Sequence, residues 1–194
     1  MMRIIDFHCD TMGERIARSE GKVPLRHNDC HISLEKMLKG GALAQFFAIW
    51  IPLEDTAQKL GVTMPPYEYF NFVYQKYLEE MEKNKDIIAP AFCLDDIKKN
   101  RENGLMSSVL SIEDSVPLEG KAERLDEFYK KGVRLMSLTW NYENSVAYPN
   151  SDDPEIMKKG LKPFGIETVE RMNEMGMIVD ISHLSDGGIY DVFK

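Results

Sequence analysis

Short apolar runs that alternate with amphipathic, helix-like stretches constrain the fold of this 194-residue chain more than any other feature. Most of these runs are apolar throughout, which is typical of parallel strands buried on both faces. Alternation of strand and helix with short connections predicts an α/β fold whose parallel strands are joined by right-handed crossovers. The five predicted strands are 3–9, 43–51, 105–112, 133–139 and 177–182.

The predicted helices begin and end at recognisable signals. The helix at 33–39 begins with a serine N-cap and stops at a pair of glycines, and the helix at 163–175 begins with proline and ends before glycine. The other predicted helices are 67–83, 94–101 and 121–131. The segment 141–162 is the longest predicted loop. Because no change of composition marks a second domain, we expect one domain over residues 1–194.

Composition and charge exclude several classes of function. The net charge is −8 and the Lys and Arg residues are scattered, so nucleic-acid binding is not predicted. The apolar stretch at 43–53 is far shorter than the roughly 20 residues of a membrane helix, so no membrane span is predicted. Three cysteines without a disulfide spacing, and a first strand that leaves no room for a secretion signal, predict a reducing, cytoplasmic location.

Side chains that bind metals follow the C-terminal ends of several predicted strands. His8 and Asp10 are two residues apart on the first strand, and alternate residues of a strand face the same side, so both can approach one metal ion. Glu113 follows the third strand, and His183 follows the fifth. Imidazole and carboxylate ligands suit zinc or a similar divalent ion. Together, these four residues predict a metal site.

Each candidate also has a plain structural interpretation. Glu113 alone could be a solvated turn residue or an acidic residue at a helix entry, and His183 could be a packed or helix-entry histidine. His27 and His31 lie before a helix and not at the end of a strand, so we interpret them as loop residues that bind no metal. Cys9 is expected to face away from its two neighbours and to pack.

Six segments of the sequence, in order from residue 5 to about residue 186, match the pattern of a known family, and the four candidate ligands lie in three of them. They are 5–11, 40–47, 111–113, 132–141, 161–165 and 179–185. Together they closely resemble the membrane (renal) dipeptidase family and its bacterial cytoplasmic relatives. The resemblance implies a (β/α)8 TIM barrel of the metal-dependent hydrolases, incomplete here with about five βα units, and the activity of a zinc dipeptidase.

The resemblance also implies a site that holds two zinc ions. His8 and Asp10 would hold the first ion, Glu113 would bridge both ions, and His183 would hold the second. A hydroxide between the ions would attack the peptide bond of a dipeptide, with Glu113 setting the spacing of the metals and orienting the nucleophilic water. The family's second histidine for the distal metal, its substrate-binding arginine and its acid/base aspartate lie on later strands. The second zinc is therefore expected to be under-liganded.

The substrate pocket is expected to include Trp140 and Asn141. Trp140 stands where mammalian members of the family carry a histidine that contacts the substrate, so that role does not carry over. An open barrel that stops after the fifth strand would leave apolar edges, and we therefore expect a homo-oligomer or association with a completing chain.

Two other interpretations stay open. The barrel hosts many chemistries, so another amidohydrolase-type activity, such as that of a lactonase or deaminase, is an alternative. Those relatives usually begin with His-x-His, and Asp10 in the third position favours the dipeptidase. The second alternative is a truncated chain without catalytic activity, because the acid/base aspartate is missing.

Overall fold

A computed structural model describes residues 3–194. The chain forms two compact units, each built from two stretches of sequence. Unit 1 comprises the described residues up to Trp50 together with Phe70–Ser111, and unit 2 comprises Ile51–Tyr69 and Ile112–Lys194. Strand β4 (Met106–Glu113) and helix α3 (Pro66–Lys83) each contribute residues to both units.

Unit 1 contains a parallel sheet. Besides β4, its strands are β1 (Ile4–Asp6), β2 (Ala42–Trp50) and β3 (Ile88–Pro90). Strand β1 pairs in parallel with β2, β3 pairs in parallel with β4, and β2 also neighbours β4. Its helices are α1 (Leu34–Gly40), α4 (Leu94–Glu102) and most of α3. Parallel strands joined by helices confirm the predicted α/β class.

Strand β3 was not predicted. It has three residues, too few to show the periodicity by which a strand is recognised in a sequence. The strand that precedes His183 is consequently the sixth, and the described residues contain six strands in place of the predicted five.

A helical segment directly after β1 was also not predicted. Thr11–Ile16 forms a π-helix, and a short 3₁₀-helix, Ala17–Ser19, follows it. Met12 and Ile16 are buried, and a Cβ atom on Gly13 would lie 3.1 Å from the carbonyl oxygen of Ala48 in β2. The π-helix therefore packs closely on β2, and a side chain at position 13 would require a shift of a few tenths of an ångström.

The burial of β1 differs from the pattern predicted for most of the strands. Ile4 and Ile5 are 42% and 40% exposed, and Phe7 is 51% exposed although its ring stacks on Phe46 at 4.6 Å. Among the described residues β1 pairs with β2 on one side only, which leaves its other side open. Apolar sequence here marks an edge strand and not a buried one.

Unit 2 contains two strands in addition to the end of β4. Strand β5 (Val133–Ser137) pairs in parallel with β6 (Ile178–Asp180), and Leu135 lies opposite Ile178. Its helices are α2 (Glu54–Leu60), α5 (Glu123–Lys130), α6 (Pro154–Met157), α7 (Pro163–Met175) and α8 (Asp186–Val192). The bounds of α7 agree with the prediction because proline begins the helix and Gly176, at φ +72°, ends it.

Close packing holds α7 against the loop that follows β5. A Cβ atom on Gly165 would lie only 2.1 Å from the carbonyl oxygen of Val146, so the helix and the loop touch through their backbones. The same loop contains α6, although 141–162 was predicted to be irregular throughout. Among residues 3–194, no helix combines the length and the apolar character needed to cross a membrane.

Candidate metal and substrate site

The first pair of predicted ligands lies in unit 1, directly after β1. Nε2 of His8 and Oδ1 of Asp10 are 3.0 Å apart, and the two side chains are 43% and 41% exposed. Both residues lie beyond the last strand residue, Asp6, so the prediction that they share a strand face is wrong. They converge because the chain turns into the π-helix at Asp10, whose φ and ψ are −83° and −10°.

Cys9, between the two ligands, packs into the interior as expected. It is 6% exposed, and its carbonyl oxygen accepts a hydrogen bond from the backbone N–H of Ala48 at 2.9 Å. Burial raises the pKa of the Cys9 thiol, so the neutral form is favoured. Its structural role is to fix the segment that carries His8 and Asp10 against β2.

The second pair of predicted ligands lies in unit 2. Oε1 of Glu113, the last residue of β4, is 3.3 Å from Nε2 of His183. The glutamate side chain is 12% exposed and the histidine side chain is 37% exposed. His183 follows β6 by three residues and has a left-handed backbone with φ +64°, which is unusual for a residue with a side chain.

Hydrogen bonds hold His183 in this conformation. Its carbonyl oxygen accepts from Oγ1 of Thr139 at 3.1 Å and from the backbone N–H of Asn150 at 2.7 Å. Both donors belong to the chain between β5 and α7. Two anchors at one carbonyl offset the strain of the left-handed backbone and keep the imidazole directed at Glu113.

A buried aspartate follows Glu113 directly. Asp114 is fully buried and also has a left-handed backbone, with φ +78°. Its Oδ1 accepts from Nδ2 of Asn144 at 2.8 Å and from the backbone N–H of Val116 at 3.0 Å, and its Oδ2 accepts from the backbone N–H of Trp140 at 3.2 Å. Burial raises the pKa of Asp114 to about 6, against the opposing effect of these hydrogen bonds.

Asn144 completes the polar cluster. Its Nδ2 also donates to the carbonyl oxygen of Leu138 at 2.8 Å, and its Oδ1 accepts from the backbone N–H groups of Val146 and Ala147 at 2.8 and 3.0 Å. The side-chain amide of Asn144 thus forms hydrogen bonds with buried backbone groups of the loop after β5 that do not pair within a helix or strand. Sequence analysis missed Asp114 and Asn144, although an aspartate directly after a buried strand was a signal for the first.

The predicted pocket residues have different surroundings. Trp140 is half-buried, and its ring centroid lies 6.3 Å from that of His183 and 5.9 Å from that of Tyr142. Asn141 is exposed. The structure therefore brings Trp140 beside a predicted ligand, whereas the pocket role of Asn141 stays a prediction.

The two histidines of the loop before α1 have different surroundings. Nδ1 of His27 is 2.8 Å from a carboxylate oxygen of Glu35, and its side chain is largely exposed. His31 lines a cavity together with His8 and Asp10. His31 therefore lies close to the candidate site, whereas His27 does not line this cavity.

The two pairs suit a divalent ion by their chemistry and spacing. An ion bound through two bonds of about 2.1 Å at a near-tetrahedral angle holds its donor atoms about 3.4 Å apart. The nitrogen and oxygen atoms are 3.0 Å apart in the His8–Asp10 pair and 3.3 Å apart in the Glu113–His183 pair. Small adjustments would let each pair hold an ion such as zinc.

Sequence comparison finds one family over the whole chain. The profile described as membrane dipeptidase, peptidase family M19, matches residues 1–194. Dipeptidase aclJ of Aspergillus oryzae is 32% identical over 79% of this chain and 37% of its own length. The uncharacterized dipeptidase C965.12 of Schizosaccharomyces pombe is 28% identical over 97% of this chain and 48% of its own length. The chain thus spans less than half the length of both curated relatives.

Structure comparison confirms the fold class. A metallo peptidase from Rhodobacter sphaeroides, crystallised with a phosphinate mimic of the dipeptide L-Ala-D-Ala, superposes with a TM-score of 0.83 at 18% identity. The match covers 98% of this chain and 61% of that structure. This chain therefore shares the α/β fold of that structure over almost its whole length.

Proposed function

Since the chain belongs to the membrane dipeptidase family, we propose that it binds two zinc ions and hydrolyses the peptide bond of dipeptides. The observation that carries this proposal is the presence of two imidazole–carboxylate pairs near the C-terminal ends of parallel strands. His8 and Asp10 follow β1, whereas Glu113 ends β4 and His183 follows β6. In barrel enzymes, functional groups gather at these strand ends. Because the chain spans less than two thirds of its relatives, the proposed activity refers to the whole protein.

Each proposed ligand has a distinct role. As the resemblance implies, His8 and Asp10 would hold one ion, His183 would hold the other, and Glu113 would contribute to holding both. Zinc bound by these residues would supply a Lewis acid for the peptide carbonyl and for a water molecule. Glu113, at 12% side-chain exposure, supplies its negative charge in a poorly solvated place where electrostatic attraction is strong. Trp140 forms a pocket wall beside His183, and Asn141 completes it.

Metal binding is the first test. Zinc titration by calorimetry and metal analysis of the purified chain should give two zinc ions per chain, with the second bound more weakly. His8→Ala and His183→Ala should each weaken one binding step by about tenfold or more, because each removes a ligand. His27→Ala is the matched control, since His27 pairs with Glu35 outside both clusters, and should leave both steps unchanged. Equal zinc binding by all variants would contradict the ligand assignment.

Hydrolysis is the second test. L-Ala-D-Ala and L-Ala-L-Ala should be cleaved by the zinc-loaded protein and spared by the zinc-free protein, whereas lactones and deaminase substrates should not react. Cleavage of a lactone in place of the dipeptides would favour the alternative amidohydrolase. Zinc binding without any turnover, even after addition of a chain that supplies the remaining family strands, would favour the non-catalytic alternative.

Location and association are also proposals. The three cysteines are unpaired in the described structure, which supports a reducing compartment such as the cytoplasm, and cell fractionation tests this. The exposed apolar side chains of β1 support association with a second copy or a completing chain. Light scattering should therefore show a species heavier than the 22.3 kDa chain, and a stable monomer would contradict this proposal.

A further inference from the structure

A cavity of about 430 Å³ in unit 1 lies beside the first pair of proposed ligands. Two short segments form its polar walls: the π-helix contributes Glu14 and Arg15, and the loop before α1 contributes Cys30 and His31. His8 and Asp10 line the same cavity. A molecule in this cavity would contact the proposed metal ligands and both walls at once.

Buried residues fix the helical wall. Met12 is fully buried and Ile16 is 3% exposed, and Gly13 packs against the backbone of β2. Because this face is held against the sheet, the exposed residues Glu14 and Arg15 are left to face the cavity. π-Helical turns often occur at functional sites, where they redirect side chains in this way.

Side-chain hydrogen bonds fix the loop wall. Nδ2 of Asn28 donates to the carbonyl oxygens of Pro24 and Leu25 at 3.0 and 3.3 Å, and its Oδ1 accepts from the backbone N–H of Cys30 at 3.0 Å. The ammonium group of Lys36 donates to the carbonyl oxygen of Cys30. These bonds anchor the backbone of Cys30, and His31 directly follows this anchored residue.

The cationic group of the cavity is available for a ligand. Nη2 of Arg15 is 4.0 Å from Oδ1 of Asp29, and these side chains are 57% and 84% exposed. An ion pair this long and this exposed contributes little, so another carboxylate can replace it at small cost. Arg15 and His31 stand on different walls, and both are hydrogen-bond donors that suit a carboxylate held between them.

We propose that this cavity binds a carboxylate group of the dipeptide, held by Arg15 from the π-helix and by His31 from the loop. This inference rests on the proposed dipeptidase function and adds a binding subsite to it. Every dipeptide carries a terminal carboxylate, and some carry a second one on an acidic side chain. Glu14 lines the same cavity and weakens the attraction, so removing its charge should tighten binding.

Calorimetry on the zinc-loaded full chain tests the proposal with two matched pairs of ligands. L-Ala-L-Ala and its C-terminal amide differ only in the terminal carboxylate, and L-Ala-L-Asp amide and L-Ala-L-Asn amide differ only in the side-chain carboxylate. We expect one of these pairs to show about tenfold preference for the carboxylate. Arg15→Gln and His31→Gln should each reduce that preference severalfold, and Glu14→Gln should increase it.

Arg18→Gln is the control, because it makes the same charge change a short distance further along the chain and Arg18 does not line the cavity. It should leave the preference intact. If Arg15→Gln lost affinity equally for carboxylate and amide ligands, or lost none, the proposed subsite would be overturned. Dipeptide binding by the wild type would then still support the proposed function. Failure of the wild type to bind any dipeptide, with zinc bound, would overturn both.

Discussion

The His8–Asp10 pair and the Glu113–His183 pair have the same chemistry and opposite surroundings. The first pair is more than 40% exposed and follows an edge strand whose apolar side chains are open to solvent. The second pair includes a glutamate whose side chain is 12% exposed. His183 of this pair and Asp114, which follows the glutamate, both have left-handed backbones. Proximity in sequence assembles the first pair, whereas residues about 70 positions apart assemble the second.

The two pairs are therefore sensitive to different substitutions. Two ligands that are two residues apart need only a fixed local turn, which the π-helix packed on β2 supplies. Ligands far apart in sequence need a framework, and in unit 2 this framework is the buried cluster of Asp114 and Asn144 with the hydrogen bonds around His183. Changes in the cluster should therefore affect the second pair and leave the first one unchanged.

Replacing Asn144 by alanine should have the largest effect. It removes the donors to Asp114 and Leu138 and the acceptor of two backbone N–H groups, all buried. We expect a loss of about 3 kcal/mol in the free energy of unfolding, measured with urea, because several buried groups lose their partners. The weaker zinc-binding step should be weakened further, and the step that depends on His8 should be kept.

The control for this change is Asn173→Ala, at an exposed position of α7. A surface change of this kind should alter stability by less than about 0.5 kcal/mol. If both zinc-binding steps weakened equally in Asn144→Ala, the contrast between the two pairs would be refuted.

The pH dependence of stability should reveal the buried Asp114. Its pKa is about 6 in the folded chain, against an ordinary value of 3.8, so the folded state holds this proton more tightly than the unfolded state does. Its contribution to stability is therefore complete below pH 3.8 and is lost as pH rises through about 6, by at most about 3 kcal/mol.

The Asp114→Asn variant has no titratable group at this position, so comparison with it isolates the contribution of Asp114 to the pH dependence of stability. Urea unfolding of the zinc-free protein between pH 4 and 7 should show that the stability of the wild type, relative to this variant, falls with rising pH. Parallel pH profiles for the two proteins would show that Asp114 titrates normally.

A smaller effect is expected from Gly13→Ala, which probes the first pair. The added Cβ would lie 3.1 Å from the carbonyl oxygen of Ala48, and the π-helix must shift to accept it, at a cost of about 1 to 2 kcal/mol. Zinc binding at His8 and Asp10 should weaken as their turn moves. Gly40→Ala, with no atom within 4 Å of its Cβ, is the control and should be neutral or slightly stabilising. Equal effects of the two changes would mean that the π-helix does not position the first pair.

The sequence alone was sufficient for the parts of the molecule that local chemistry specifies. Largely apolar runs predicted the long strands β2 and β4, because strands that are buried on both faces are mostly apolar. Proline and glycine at its ends predicted α7 correctly. The spacing of His8 and Asp10 predicted that the two side chains would meet, although a turn and not a strand brings them together.

The remaining features depend on the packing of segments that are distant in sequence. The three-residue β3 is a strand because β4 pairs with it, and the apolar β1 is exposed because one of its sides has no neighbour among the described residues. Asp114 and Asn144 are 30 positions apart, and neither shows a pattern that predicts their hydrogen bond. Periodicity records which face of an element is apolar, whereas the partner of a buried polar group depends on how distant segments pack.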